Sequence, residues 1–386
     1  MKLIEVQNPK TEKEFLQVPI EIYKGDANWI RPLDKDMDAV FDKKKNKYFR
    51  QGDCVRYILK GEGDELLGRV AAFYDKKSSS AFEQPTGGMG FFECVDDQKA
   101  AFVLFSACQK WLESKGMEAM DGPINFGEKD KWWGLMVDGF YPPTYAMNYH
   151  HPYYRALFES YGFQTYYEQY NYIMKVNAPM PEKYKERAER LWANPSYRVE
   201  CIDKKRLDKY AADFCTIYNK AWGKHAGFKG MSLEQAKLTM KTIKPVMEED
   251  LIYFAYKDEA PIGFFIMLPE LNQIFRHLNG NLNWLGKIKF LWYKWRKECD
   301  KIFGVAFGVV PEEQGKGVEG LIIIACSKIM PPKNRYGDIE MTWIGDFNPK
   351  MINVVETLGA NRYRTYLTLR KLFDENREFK RAPMIR

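Results

Sequence analysis

The chain has 386 residues, 45% hydrophobic, 15% aromatic and 29% charged, enough for two domains with their own cores at about 150 residues each. A net charge of +7, with lysine and acid interspersed, points away from nucleic acid, and no apolar run approaches the roughly 20 residues of a membrane span. Seven scattered cysteines without a CxxC pair, and four histidines without metal-ligand spacing, are expected in a reduced, cytoplasmic, metal-free protein whose N-terminus lacks a secretory leader.

In chain order, "CVRYILKGEGDELLGRVAAFY" (54–74) reads as strand, charged turn and strand. "PTGGMGFF" (85–92) is a glycine turn into a strand, which "GFFECVDDQKAAFVLFSACQK" (90–110) continues through a polar turn into an apolar helix. "DGPINFGEKDKWWG" (121–134) is a glycine- and aromatic-rich strand end. In "HPYYRALFESYGFQTYYEQY" (151–170), Pro152 starts an amphipathic helix, Gly162 ends it and an aromatic strand follows. The proline-punctuated, charged segment at 177–198 reads as a linker with a short helix.

The same order then recurs. A hairpin at 251–268 is followed by strand, turn and apolar helix at 306–328, then by "NPKMINVVETLGANRYRTYL" (348–367). Pro152 and Pro349, Glu159 and Glu356, Gly162 and Gly359, and Tyr166 and Tyr363 fall at one constant offset. Two copies are therefore expected, residues 1–176 and 197–386, joined by a linker at 177–196. Hairpins outnumber crossovers, so each copy is expected to be an α/β unit with a mixed, largely antiparallel sheet flanked by helices. One large α/β domain with alternating elements is the competing reading. Between the second hairpin and the next strand, residues 283–301 place Trp284, Ile288, Leu291, Trp292 and Trp295 at helical spacing among lysines. That stripe is expected to pack on its own domain, with a lid or lipid-facing wall as the sharper alternative.

The glycines of "VVPEEQGKGVEGLIII" (309–324) suggest a phosphate site at a helix start. A dinucleotide fingerprint should begin directly after its strand, whereas Pro311 to Gln314 intervene, and a hairpin precedes. A Walker A loop fails because Gly317 follows Lys316. A strand ending in Val-x-Pro, then Gln-x-x-Gly and an apolar helix, resembles the acyl-CoA pyrophosphate loop of the GNAT acyltransferase superfamily. "TWIGDFNPKMINVVETLGA" (342–360) is similar to the Asn-led helix that follows there. The first copy's "CVDDQKAAF" is shorter and has no glycine, so the resemblance implies a degenerate first domain, as in the myristoyltransferase and Fem-type branches.

The resemblance implies that Val309, Val310, Gln314, Gly315, Lys316, Gly317 and Val318 hold the pyrophosphate end of acetyl-CoA or a longer acyl-CoA. Asn348 would lead the helix that closes on its arm, and backbone N–H groups from about Phe307 to Val310 would hold the thioester carbonyl. Glu319 stands where the family has Gly or Ala, the strand carries no base, and Val355 occupies the family's helix tyrosine position. Glu340 and His225 are the substitute bases, Tyr363 or Tyr366 the acid, and Trp222 and Phe228 the substrate walls. The implied activity is N-acyl transfer to a small-molecule or peptide amine. A non-catalytic scaffold and a Fem-type transferase using another carrier are the alternatives.

Overall fold

The computed structural model describes every residue except 81–82, 224–229, 331–334 and 385–386. The first half runs β1 (Lys2–Glu5), α1 (Pro9–Ile22), α2 (Asp34–Phe41), β2 (Gly52–Lys60), β3 (Leu66–Asp75), α3 (Lys76–Ser79) and β4 (Thr86–Cys94). It continues with α4 (Gln98–Ser114), β5 (Ala119–Gly122), β6 (Leu135–Asp138), α5 (Tyr154–Ser160) and β7 (Gln164–Lys175). The connecting segment folds as α6 (Glu182–Trp192). The second half begins with β8 (Tyr197–Cys201), α7 (Leu207–Trp222), α8 (Leu233–Ile243), β9 (Ile252–Lys257) and β10 (Ala260–Pro269). After α9 (Asn272–Phe275) and α10 (Trp284–Trp295) come β11 (Lys301–Val309), α11 (Val318–Ile329), β12 (Asp338–Gly345), α12 (Pro349–Thr357) and β13 (Asn361–Leu372).

The strands form one sheet in the order β1-β2-β3-β4-β5-β13-β7-β12-β11-β10-β9-β8, with β6 also pairing with β13. Among the described residues, only β4–β5 and β11–β12 are parallel. In these two pairs α4 and α11 return the chain to a neighbouring strand in the same direction. The final strands are exchanged: β7 pairs with β12, and β13 lies between β5 and β7. Hydrogen bonding is thus continuous across the linker, and each half's sheet is completed by the other's last strand.

Strand alternation sends side chains to two helical layers. In the first half, Leu59, Val70 and Phe92 meet Leu104, Phe105 and Phe158 of α4 and α5, while Ile58 meets Phe15 and Val18 of α1 on the opposite face. In the second half Gly263 faces Ile322 of α11, and Phe264 faces Phe214 of α7. All seven cysteines are free. The Trp stripe of α10 does not follow expectation: Trp284, Leu285, Ile288, Leu291, Trp292 and Trp295 are all exposed. Short α9 and the turn after it offer too little apolar surface to cover more than one face of α10. Phe290 and Tyr293 take that surface, on Phe275 and His277.

Candidate active site

Strand β11 pairs with β12 only over Lys301–Gly304, opposite Asp338–Met341. Beyond that point β11 stays with β10 and β12 stays with β7, so the two parallel strands part and a gap opens. The parting coincides with a bulge. Gly304 pairs with Met267 and Ala306 with Ile266, leaving Val305 as the extra, solvent-exposed residue. The Val310 N–H donates to the Ile262 carbonyl at 2.9 Å, so the two-residue period turns the N–H groups of Phe307 and Val309 towards the gap. Val309 therefore turns an N–H to the gap, whereas the Val310 N–H is spent on β10.

The glycine turn closes the far end of this gap. Gln314 donates from Nε2 to the Val309 carbonyl at 2.9 Å, and the buried Glu313 accepts from Lys257, Lys316 and Tyr197 at 3.0 to 3.2 Å. Lys316 is therefore held against a carboxylate, although its side chain remains half exposed. Gly315 is open to solvent, with φ +72° and nothing near a would-be Cβ. Gly317 caps α11 at φ +106°, where a β-carbon would lie 2.8 Å from Arg187 Cγ and 3.2 Å from a Leu191 methyl. The N–H groups of Val318, Glu319 and Gly320 precede the first intrahelical bond, which the Leu321 N–H makes to the Gly317 carbonyl at 2.9 Å.

The linker helix thus builds part of the turn. Tyr184, Arg187, Ala188 and Leu191 repeat at helical spacing along α6, and Gly320 lets Ala188 approach to 3.0 Å of its missing Cβ. Arg187 donates to the Gly315 carbonyl at 3.3 Å, which brings a guanidinium to the rim. Periodicity within α6 reveals that face in the sequence. Its partner is not legible there, because α6 and α11 lie more than a hundred residues apart.

The equivalent edge in the first half is sealed. Its strand carries the same bulge, with Phe91 and Phe92 opposite Val70 and Phe91 at φ +53°. Here the Ile124 N–H donates to the Met89 carbonyl at 2.8 Å, and a β-carbon on Gly90 would lie only 1.8 Å from the Ile124 carbonyl oxygen. Tyr153, the N-cap of α5, and Tyr154, its first residue, finish the closure. The Cys94 N–H donates to the Tyr154 hydroxyl at 3.0 Å, and the Tyr153 hydroxyl donates to the Cys94 carbonyl at 2.7 Å.

Of the other expected residues, Trp222 packs against Gly308, 2.7 Å from its missing Cβ, and stacks on Tyr218 at 4.9 Å. It therefore sits beside the gap. Asn348 caps α12, its side chain accepting from the Met351 N–H, and Val355 is buried against Tyr170 and Tyr172. His225 and Phe228 lie outside the described residues.

Glu340 occupies a different setting from that of a strand-edge base. It has no exposed surface and is bound by Arg364, Nε to Oε1 at 2.7 Å and Nη2 to Oε2 at 3.3 Å, and by Asn171 Nδ2 at 2.9 Å. Burial opposes the charge of Arg364, but the carboxylate more than offsets this and raises its pKa above the ordinary arginine value. A base must reach its proton, and this carboxylate is enclosed as a counter-ion. Tyr363 joins the same cluster, stacked on Tyr141 at 4.7 Å with the Lys301 ammonium 5.1 Å from its ring, while Tyr366 is fully buried. Glu270, which the sequence reading passed over, lies beside this cluster. One of its oxygens accepts from the Tyr145 and Asn272 N–H groups, and the other is buried without a partner among the described residues. Burial pushes its pKa up to about 8, against the lowering effect of the Asn272 N–H.

No family model matches the chain. It is 26% identical over 378 residues to a bacterial ceramide synthase from Caulobacter vibrioides, covering 96% of this chain and 97% of that one. It is also 26% identical over 373 residues to protein YghO of Escherichia coli, covering 93% and 92%. Among solved structures, a tandem GNAT protein from the clavulanic acid biosynthesis pathway superposes with a TM-score of 0.55 at 10% identity, over 96% of this chain and 98% of that one. A GCN5-related glucosamine N-acetyltransferase region of a fungal multi-domain β-N-acetylglucosaminidase gives 0.55 at 10% identity, over 96% of this chain and 38% of that one. With its splayed parallel strands, its repeat and these superpositions, the chain has a tandem GNAT fold.

Proposed function

We propose that the chain is an acyl-CoA-dependent N-acyltransferase that binds its donor in the second half. The observation carrying this reading is the open, bulged edge of β11 beside a glycine turn, set against the sealed edge of the first half. A pyrophosphate in the turn would meet the free N–H groups of α11, the Arg187 guanidinium and the Lys316 ammonium. The pantetheine arm would follow the Phe307 and Val309 N–H groups and present its thioester carbonyl at the Val305 bulge. Backbone donors fixed there would stabilise the oxyanion that forms when an amine attacks the carbonyl carbon. The C–N bond forms, the C–S bond breaks, the thiolate leaves and the amine gives up a proton. We assign that proton to His225, which follows Trp222 in the chain, because Glu340 has no exposed surface.

A ceramide is the amide of a fatty acid with a long-chain base, so the relative named for its synthesis supports a long-chain amine as acceptor. Calorimetric titration with CoA, acetyl-CoA and palmitoyl-CoA tests donor binding. Gly317→Glu should abolish it, and Arg187→Ala should weaken it by about tenfold, the usual size of one lost charge-assisted contact. Unchanged CoA binding in Gly317→Glu would remove the loop assignment. Tight binding with no thiol release on any amine, short or long, would leave a binding protein without catalysis.

A further inference from the structure

Helix α10 presents its apolar stripe to solvent. Trp284 is 69% exposed, Leu291 63% and Trp295 79%, and Leu285, Ile288 and Trp292 join them. On a helix of 3.6 residues per turn, these six positions fall within an arc of roughly 120°. Basic residues flank the arc, Lys287 on one side and Lys289 and Arg296 on the other, with Lys297 just beyond; Lys294, on the Lys287 side, is half-buried and donates to the Pro245 carbonyl. From Asn283 to Lys297 there is no acidic residue.

The opposite face of α10 is anchored. Phe290 packs on Phe275 with ring centroids 5.7 Å apart, Tyr293 stacks on His277 at 4.2 Å, and Gly286 is buried against the Asn281 carbonyl. Asn283 caps the helix by accepting from the Gly286 N–H at 3.0 Å. The stripe is therefore displayed by a seated helix, not left over from one without a place to pack. Isolated exposed hydrophobics need no explanation, but three tryptophans and three aliphatics in one contiguous band do.

We infer that α10 is an interfacial anchor that lays this band into the headgroup region of an anionic lipid bilayer. The charge pattern selects that occupant. Tryptophan and leucine flanked by exposed Lys287, Lys289 and Arg296 match an acyl boundary overlaid by negative headgroups, which the long basic side chains reach by bending outward. A protein partner would need a rim of acidic groups on both sides of an apolar groove, and a second copy of α10 would set its basic residues against like charge. With 12 residues, α10 is too short to span, and no described helix is long and apolar enough to cross a membrane. The anchor goes beyond the acyl-transfer reading and does not depend on it.

Flotation of the full chain with phosphatidylcholine vesicles, with and without about 30 mol% phosphatidylglycerol, tests this inference at low and moderate salt. The chain should float with the anionic vesicles, with a blue shift of tryptophan emission and weaker binding at higher salt. Trp284→Ser with Trp295→Ser should cut the bound fraction about tenfold, as should Lys287→Glu with Lys289→Glu. All four side chains are exposed, and circular dichroism checks that the variants stay folded. Absence of flotation, or flotation indifferent to both pairs of substitutions, overturns the proposal. So does a concentration-dependent dimer that the Trp pair abolishes, since a second copy would then be the occupant. Neither CoA nor an amine is present, so failure here leaves the acyl-transfer reading standing, and failure of CoA binding leaves the anchor standing.

Discussion

Glu340→Gln separates a buried tie from a catalytic base. In the folded chain neither Glu340 nor Arg364 has exposed surface. The guanidinium also donates to the carbonyls of Gly139 at 3.1 Å, Tyr141 at 2.8 Å and Pro142 at 2.8 Å, so β12 and β13 grip the loop after β6. Glutamine keeps the shape and an acceptor but removes the charge. Arg364 is then left ionised in a dry interior, with the Lys301 ammonium, now 3.6 Å from the Glu340 carboxylate, adding like charge. Breaking a buried pair from one side costs about 3–5 kcal/mol, and the surviving hydrogen bond places this variant near the lower end. Arg364→Met should cost more, because three carbonyls also lose their donor at about 1–3 kcal/mol each. Glu340→Leu with Arg364→Met should fall below the sum of its parts, since no charge remains unpaired. Urea unfolding followed by tryptophan fluorescence gives the differences from midpoint and slope. A single transition is expected, because the exchanged strands prevent either half from unfolding alone. Full stability in Glu340→Gln combined with lost acyl transfer would refute the reasoning and return Glu340 to the role of base.

Two further outcomes follow from buried groups. Glu270 has its folded pKa raised from 4.5 to about 8 by burial, so between those values the folded state holds more protons than the unfolded one. Its contribution is fully present below about pH 4.5 and is lost as pH rises through about 8, with a slope of at most about 1.4 kcal/mol per pH unit. Glu270→Gln should remove that slope, and urea midpoints at pH 5 and pH 9 that shift as they do in the parent would count against the burial argument. Gly90→Ala should destabilise the chain by about 1–3 kcal/mol through overpacking against the Ile124 carbonyl, without altering CoA affinity. Weakened CoA binding in that variant would mean that the first-half edge takes part in the donor site.

Much of the fold was legible in local pattern. Pro349 starts α12 and glycines 162 and 359 end their helices because ring and φ restrictions act within a few residues, whereas α5 opens at Tyr154, two residues after the expected Pro152. The glycine turn was legible for the same reason, since Gly315 and Gly317 both take positive φ. The enclosure of Glu340 was not legible because its sequence neighbours say nothing about Arg364, 24 residues away, or about the loop carbonyls from the other half.

By itself, the sequence determined the hairpins, the two-copy order and the helix that opens at Val318, all properties of short-range sterics and periodicity. Only the tertiary structure decided which edge stays open, because Ile124 and Tyr154 reach the first edge from distant segments. It also decided that α6 lends Arg187 to the turn and that the final strands are exchanged. The α10 stripe shows the division most plainly. Amphipathicity was evident from spacing alone, but whether the apolar face turned inward depended on how much surface α9 and its neighbours had left to offer.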